Sequence, residues 1–287
     1  MNNNQKVRPP AMKKWTVGAA IVGAISLTAM GTSALASPDH GIFKLFAGGN
    51  TGITEGAVTA IHQSAVQAGI VATVEESMIA GNSALIVVSF AKEDGTLFPK
   101  NAVIPALELH GDKEVSFMVE QRVTADGKKI IAMFDVETPA GLNGKKLTVK
   151  ADAIEDTDTG AVLAKGPFKN TFRAEESRSS NNIAIDHTLT HQQEQLSIQA
   201  GNISAIGVAL EGKRTTGPTD QLPEYSPKVS VTTKDGQKTE LYVGSTSTTD
   251  RGFEWHYNLD KEGQRVFLDA AAVTSLSVDG HIIPVTK

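Results

Sequence analysis

The chain has 287 residues, of which 40% are hydrophobic and only 5% aromatic, and it carries a formal charge of −5. It has no cysteine, which excludes disulfides, thiolate metal sites, iron–sulfur clusters and thiol nucleophiles. A core must therefore be built from Val, Ile, Leu and Ala, and an acidic balance without a basic cluster argues against a nucleic-acid partner.

Residues 1–14 form a basic tail, in which Lys6, Arg8, Lys13 and Lys14 occur without a single acid. Residues 15–36 are uncharged and apolar, and close in Ala34-Leu35-Ala36-Ser37. A basic start, an apolar middle and a small-x-small end make an export signal, with a cleavage site between Ala36 and Ser37. The same run is long enough, at about 1.5 Å per residue, to cross a hydrocarbon core of about 30 Å. Its Ala, Gly, Ser and Thr content makes it a weak stop-transfer segment, so signal peptide and transmembrane anchor both stay open. The positive-inside rule keeps residues 1–14 cytoplasmic in either case. The rest of the chain is expected outside the cytoplasm, held at the cell membrane or secreted after cleavage. It holds 23 basic and 32 acidic residues, a formal charge of −9.

Residues 37–68 read as a lead-in. Ile42, Phe43, Leu45 and Phe46 form an apolar cluster, suited either to the membrane interface or to packing on the next domain. Ala57, Val58, Ile61, Ala65 and Val66 follow helical spacing, and Gly69 is a suitable stop, which predicts a short helix from Ile53 to Ala68. Residues 69–175 change period. GIVATVEESM and SALIVVSFA flank an Ala80-Gly81-Asn82 turn, and further β-prone runs alternate with Gly-containing turns, among them a hairpin signal at Asp126-Gly127. Residues 176–182, within the polar run EESRSSNN, read as a linker. Residues 183–287 give a second β series, with a hairpin at Lys234-Asp235-Gly236 and a tight turn at Asp279-Gly280. The expected fold is mainly β: two tandem antiparallel β-sandwiches of immunoglobulin-like type, after an N-terminal export or transmembrane helix and a short helix.

The order of these features resembles exported β-rich domains of unknown function from Gram-positive bacteria of the Bacillus and Paenibacillus type. The carrying residues are Ala36-Ser37-Pro38, the predicted helix ending at Ala68, and the run GIVATVEESMIAGNSALIVVSF. Ser226-Pro227-Lys228-Val229 and LDAAAVTSLSVDGHIIPV look like the second β-domain that often accompanies the first. Such domains usually follow the membrane helix of anti-sigma-factor-like proteins. Here only MNNNQKVRPPAMKK precedes the apolar run, so the cytoplasmic sigma-binding module of that arrangement is missing.

Candidate chemistry is sparse. Asp156 and Asp158 stand two apart ahead of Gly160, as in calcium loops, but the glutamate and third ligand of a complete EF-hand loop are lacking, and a solvated turn is the plainer reading. His187 and His191 have the four-residue spacing of helical zinc sites, but alternation with Ile183, Ile185 and Leu189 places them on a strand, about 13 Å apart. Trp255 and Tyr257, with Phe253, make an aromatic stripe suited to stacking on a ligand or to forming the core face of one strand. No nucleophile elbow or phosphate loop occurs. No cofactor is implied.

The expected function is a non-catalytic exported or membrane-anchored module that binds or senses at the cell envelope, with an unknown envelope protein or wall ligand as partner. An envelope hydrolase using scattered carboxylates, and a structural surface spacer, are the alternatives.

Overall fold

Alternating apolar and polar residues, broken by Gly-containing turns, fold about two thirds of the described residues into antiparallel strands. The computed structural model describes residues 42–46, 53, 56–112, 115–138, 140–216, 222–249, 252–261 and 264–285. The basic tail, the apolar run 15–36 and the Ala36-Ser37 site lie outside the described residues. Among those described, no helix is long and apolar enough to cross a membrane.

After a 3-10 turn at Ile42–Phe46, the N-terminal half contains β1 (Thr59–Gln67), β2 (Ile70–Ala80), β3 (Ser83–Lys92), β4 (Ala102–Val103), β5 (Leu107–His110), β6 (Ser116–Val123), β7 (Lys129–Glu137), β8 (Lys146–Asp156) and β9 (Val162–Arg173). They form a five-stranded sheet, β1-β2-β3-β7-β6, and a four-stranded sheet in which β8 pairs with β4 and β5 on one side and β9 on the other. One core lies between them, with Ile86, Phe90 and Phe134 facing Leu109, Val149 and Phe168.

The C-terminal half contains β10 (Asn181–His191), β11 (Glu194–Ser204), β12 (Gly207–Arg214), β13 (Val229–Thr233), β14 (Lys238–Thr249), β15 (Gly252–Lys261), β16 (Gln264–Val266), β17 (Val273–Val278) and β18 (His281–Pro284). They make one sheet, β10-β11-β12-β15-β14-β13-β17-β18, with β16 on β15. The sheet curls into a near-barrel around Trp255, Tyr257 and Leu276. Its two end strands meet where His187 of β10 stacks on His281 of β18, rings parallel and 4.1 Å apart.

The helix predicted over Ile53–Ala68 is not formed. β1 occupies that stretch, paired with β2 from Thr59↔Ser77 to Gln67↔Ile70. Its burial does alternate, but the inward positions include Gln63 and Gln67, which reach β9 through Thr171 O and Lys169 N. Polar residues on the inner face hid the period of two. The predicted linker is also shorter and tighter than expected. Asn181 already opens β10, and Ser177 is buried, exchanging bonds of 2.9 and 3.0 Å with the backbone of Ile79.

β3 explains why SALIVVSFA reads as an unbroken apolar run. Ile86 and Val88 face the first core, while Leu85 and Val87 face the C-terminal half. There Met78, Leu85, Val87, Ile131 and Met133 meet Phe43 and Phe46 of the 3-10 turn and Ala205 and Phe267 of the C-terminal half. Phe43 and Phe267 pack edge to face with centroids 6.0 Å apart. The cluster Ile42–Phe46 therefore packs on the β-structure, its Phe43 fully buried.

Candidate functional site: the cleft between the halves

Strand alternation decides what β15 offers to each side. Phe253, Trp255 and Tyr257 point into the barrel and are 2, 0 and 1% exposed. This corrects the ligand-stacking reading of Trp255 and Tyr257: both rings are sealed in the core. The Tyr257 hydroxyl donates to Pro227 O at 2.9 Å, and burial holds its phenol well above the usual range. The intervening Glu254 and His256 face the N-terminal half and are buried too.

The N-terminal half meets them with the β2–β3 turn and the end of β7. Ser83 pairs with Glu137, and Leu85 with Asp135, so these side chains share the outer face of the sheet. Asn82 Nδ2 donates to Glu254 Oε2 at 2.6 Å. Glu254 Oε1 lies 2.8 Å from His256 Nε2, and His256 Nδ1 lies 2.7 Å from Ser83 Oγ. Two further contacts cross the junction: the Ser245 hydroxyl donates to Glu137, and Arg265 pairs with Asp135.

Of these, Ser83, Asp135, Glu137, Ser245, His256 and Arg265 line a cleft of about 560 Å³ between the halves, a volume typical of ligand sites. Burial alone would lower the His256 pKa, and it is the largest single influence. The hydrogen bond and charge of Glu254, with Glu137 and Asp135 behind it, outweigh burial and leave the pKa raised. His256 thus holds its proton more tightly than a free imidazole does.

A second polar cluster is buried on the same sheet. Glu75 accepts from Ser89 at 2.5 Å and from Lys129 at 2.8 Å, and these bonds override desolvation to lower its pKa. Glu76 accepts from Phe43 N at 2.9 Å, which pins the 3-10 turn, but desolvation dominates and raises its pKa.

The other residues singled out in the sequence are not brought together. Asp156 sits in the β8–β9 turn, where its Oδ1 accepts from Asn101 Nδ2 and from the amides of Asp158 and Thr159. One carboxylate oxygen already holds three donors, as in an Asx turn, rather than facing a cation with Asp158. His187 stacks on His281, whereas His191 stacks on Tyr225 at 4.1 Å. Among the described residues no three His, Asp or Glu side chains converge as a metal set.

Sequence reasoning missed Asn82, Ser83, Asp135, Glu137, Glu254, His256 and Arg265. A signal was present in GFEWHYN, where an aromatic core face requires Glu254 and His256 to share the opposite face.

Fold and cleft together define a mainly β protein with two cores and a polar-lipped cleft between them. No family model matches the chain, and no curated protein is similar to it. Its fold is similar to the crystal structure of the conserved domain protein from Bacillus anthracis, with a TM-score of 0.56 and 15% identity over 83% of each chain. At that identity the likeness shows the fold alone.

Proposed function

We propose that the chain is a non-catalytic binding or sensing module of the cell envelope, exported through residues 15–36. Its halves are read as two tandem immunoglobulin-like β-sandwich domains, and the ligand site as the cleft between them. One observation carries this reading: side chains from both halves converge on a cleft of ligand size at their junction.

A hydrolase is the second reading, favoured by the Ser83–His256–Glu254 series, whose separations of 2.7 and 2.8 Å are those of a hydroxyl, a base and an orienting acid. Glu254 stands as the orienting acid in that series and raises the His256 pKa.

A photo-crosslinking residue at Ser116, on the cleft lip, tests the binding reading in the native cell. It should give one discrete adduct that is absent when the crosslinker replaces Val162, an exposed residue of β9. Identical adducts from both positions would refute a cleft ligand. Fluorophosphonate labelling of Ser83 would replace the binding reading by the hydrolase.

A further inference from the structure

Unpaired sheet edges recruit other strands, and proteins guard them with bulges, Pro, Lys, short strands or covering side chains. Most edges here are guarded. β1 carries a bulge between Ala60 and Gln63, and its outer side is bridged by Asn170 Nδ2, which donates to Gln63 O at 2.6 Å, and by Gln67. The ends of the near-barrel close on each other through His187 and His281. β5 has only four residues and carries Glu108, which pairs with Lys150 of β8.

β6 differs along its length. Its far end is covered: Gln121 exchanges bonds of 2.9 and 3.0 Å with Ile104, and Arg122 lies over the Phe46 ring. From Ser116 to Glu120 it has no Pro, no Lys and no break in register with β7. Among the described residues the outer edge of that stretch makes no backbone hydrogen bond. Met118 there is 73% exposed, and Ser116 to Met118 form the lip of the cleft.

We propose that the β6 edge from Ser116 to Glu120 takes an extended peptide segment of a partner protein as an added strand, with a basic side chain reaching Glu137. The inference rests on the binding-module reading and names the ligand class of its cleft. Strand addition supplies affinity through the backbone, and the alternate side chains supply selectivity. Ser116 pairs with Glu137 and Met118 with Asp135, so all four share the face that a new strand would extend. Asp135 already has Arg265, whereas Glu137 accepts a hydrogen bond from the neutral Ser245 hydroxyl and acts on His256 only through its charge. Ser116 is small, which lets a Lys or Arg on the new strand pass over it to that carboxylate. Gly207, Ala209 and Gly244 of the C-terminal half line the same cleft as Ser116 and Met118. A second copy pairing through the same stretch would bring Ser116–Glu120, which holds no basic side chain for Glu137, so a basic peptide fits better.

The test uses the full chain and two fluorescent, end-blocked peptides of about eight residues, the length of a typical strand, one alternating Val with Lys and the other Val with Glu. Anisotropy should show the Lys peptide binding about tenfold tighter, the worth of one charge-assisted bond, with Glu137→Gln removing the preference. Hydrogen exchange should show new protection at Ser116–Glu120. Met118→Pro and Val119→Pro form a control pair, because consecutive amides point to opposite edges of a strand. One variant breaks the ladder to β7 and lowers the melting temperature. The other spares that ladder, is the milder of the two in melting temperature, and should lose binding. Binding of neither peptide, protection elsewhere, or the same protection from concentration-dependent self-association would overturn the inference. If the peptides fail but the Ser116 crosslink still gives its discrete adduct, the strand inference falls and the binding reading stands.

Discussion

Replacing His256 by Gln isolates the polar latch between the halves. His256 and Glu254 are 6 and 2% exposed, so the substitution strips a buried carboxylate of the imidazole that pairs with it. Breaking a buried ion pair from one side costs about 3–5 kcal/mol. The lower end applies here, because Asn82 still donates to Oε2 at 2.6 Å. The double variant Glu254→Gln/His256→Gln removes the charge as well as the pair, and should recover to within about 1 kcal/mol of the parent. Urea denaturation followed by Trp255 fluorescence measures both, since that indole lies in the adjoining core. The pH dependence gives an independent arm. A folded-state pKa above the ordinary value of about 6.5 means that the native state holds the proton more tightly. That stabilisation is fully present below about pH 6.5 and is lost as pH rises through the raised pKa. The parent should therefore lose stability across that window, while His256→Gln stays flat. Equal losses in the single and double variants, or a parent without the pH limb, would show that the latch contributes nothing.

Phe43→Ala removes a fully buried ring and its edge-to-face partner Phe267, and should cost about 3–4 kcal/mol in thermal or urea unfolding. Gly207→Ala should fold poorly: φ is +134° and a Cβ there would lie 2.0 Å from Tyr257 O, which circular dichroism melting would report as a large loss. Asp156→Ala should lower the melting temperature equally in millimolar calcium and in chelator, because its carboxylate caps a turn. A stabilisation by calcium that vanishes in the variant would restore the metal reading.

Turn chemistry was the most readable layer of the sequence. Gly81, Gly127, Gly236 and Gly280 all adopt positive φ in hairpins that join strands, at the positions their dipeptides suggested. β1 was misread for a physical reason. Its inward side carries Gln63 and Gln67, whose partners on β9 lie about a hundred residues away in sequence. The cleft was less readable still. Ser83, Glu137, Glu254 and His256 are unremarkable in sequence, and only the packing of one outer sheet face on another brings them within hydrogen-bond range. Apolar content hinted at that packing: a strand such as β3, greasy on both sides, must be covered twice.

The junction has two ends of different chemistry, and that division bears on how binding could be transmitted. At one end the cover is apolar, made by Phe43, Phe46 and Phe267 over Met78, Leu85 and Val87. At the other it is polar, made by Glu254, His256, Ser245 and Arg265 over Asn82, Ser83, Glu137 and Asp135. A strand added at Ser116–Glu120 enters at the polar end and competes for Glu137, so it acts on the latch directly. The 3-10 turn occupies the apolar end and follows residues 15–36 in the chain. With residues 15–36 retained as an anchor, the tether would thus be attached to the junction itself rather than to the outside of either half. Separation of the halves at the cleft would then have to reseat Phe43, which is held by Glu76 on one side and Phe267 on the other. A fluorine label on the Phe43 ring should shift its resonance when the Lys peptide binds, and should not shift in Glu137→Gln at the same peptide concentration. An unchanged resonance at saturating peptide would mean that the two ends of the junction are not coupled.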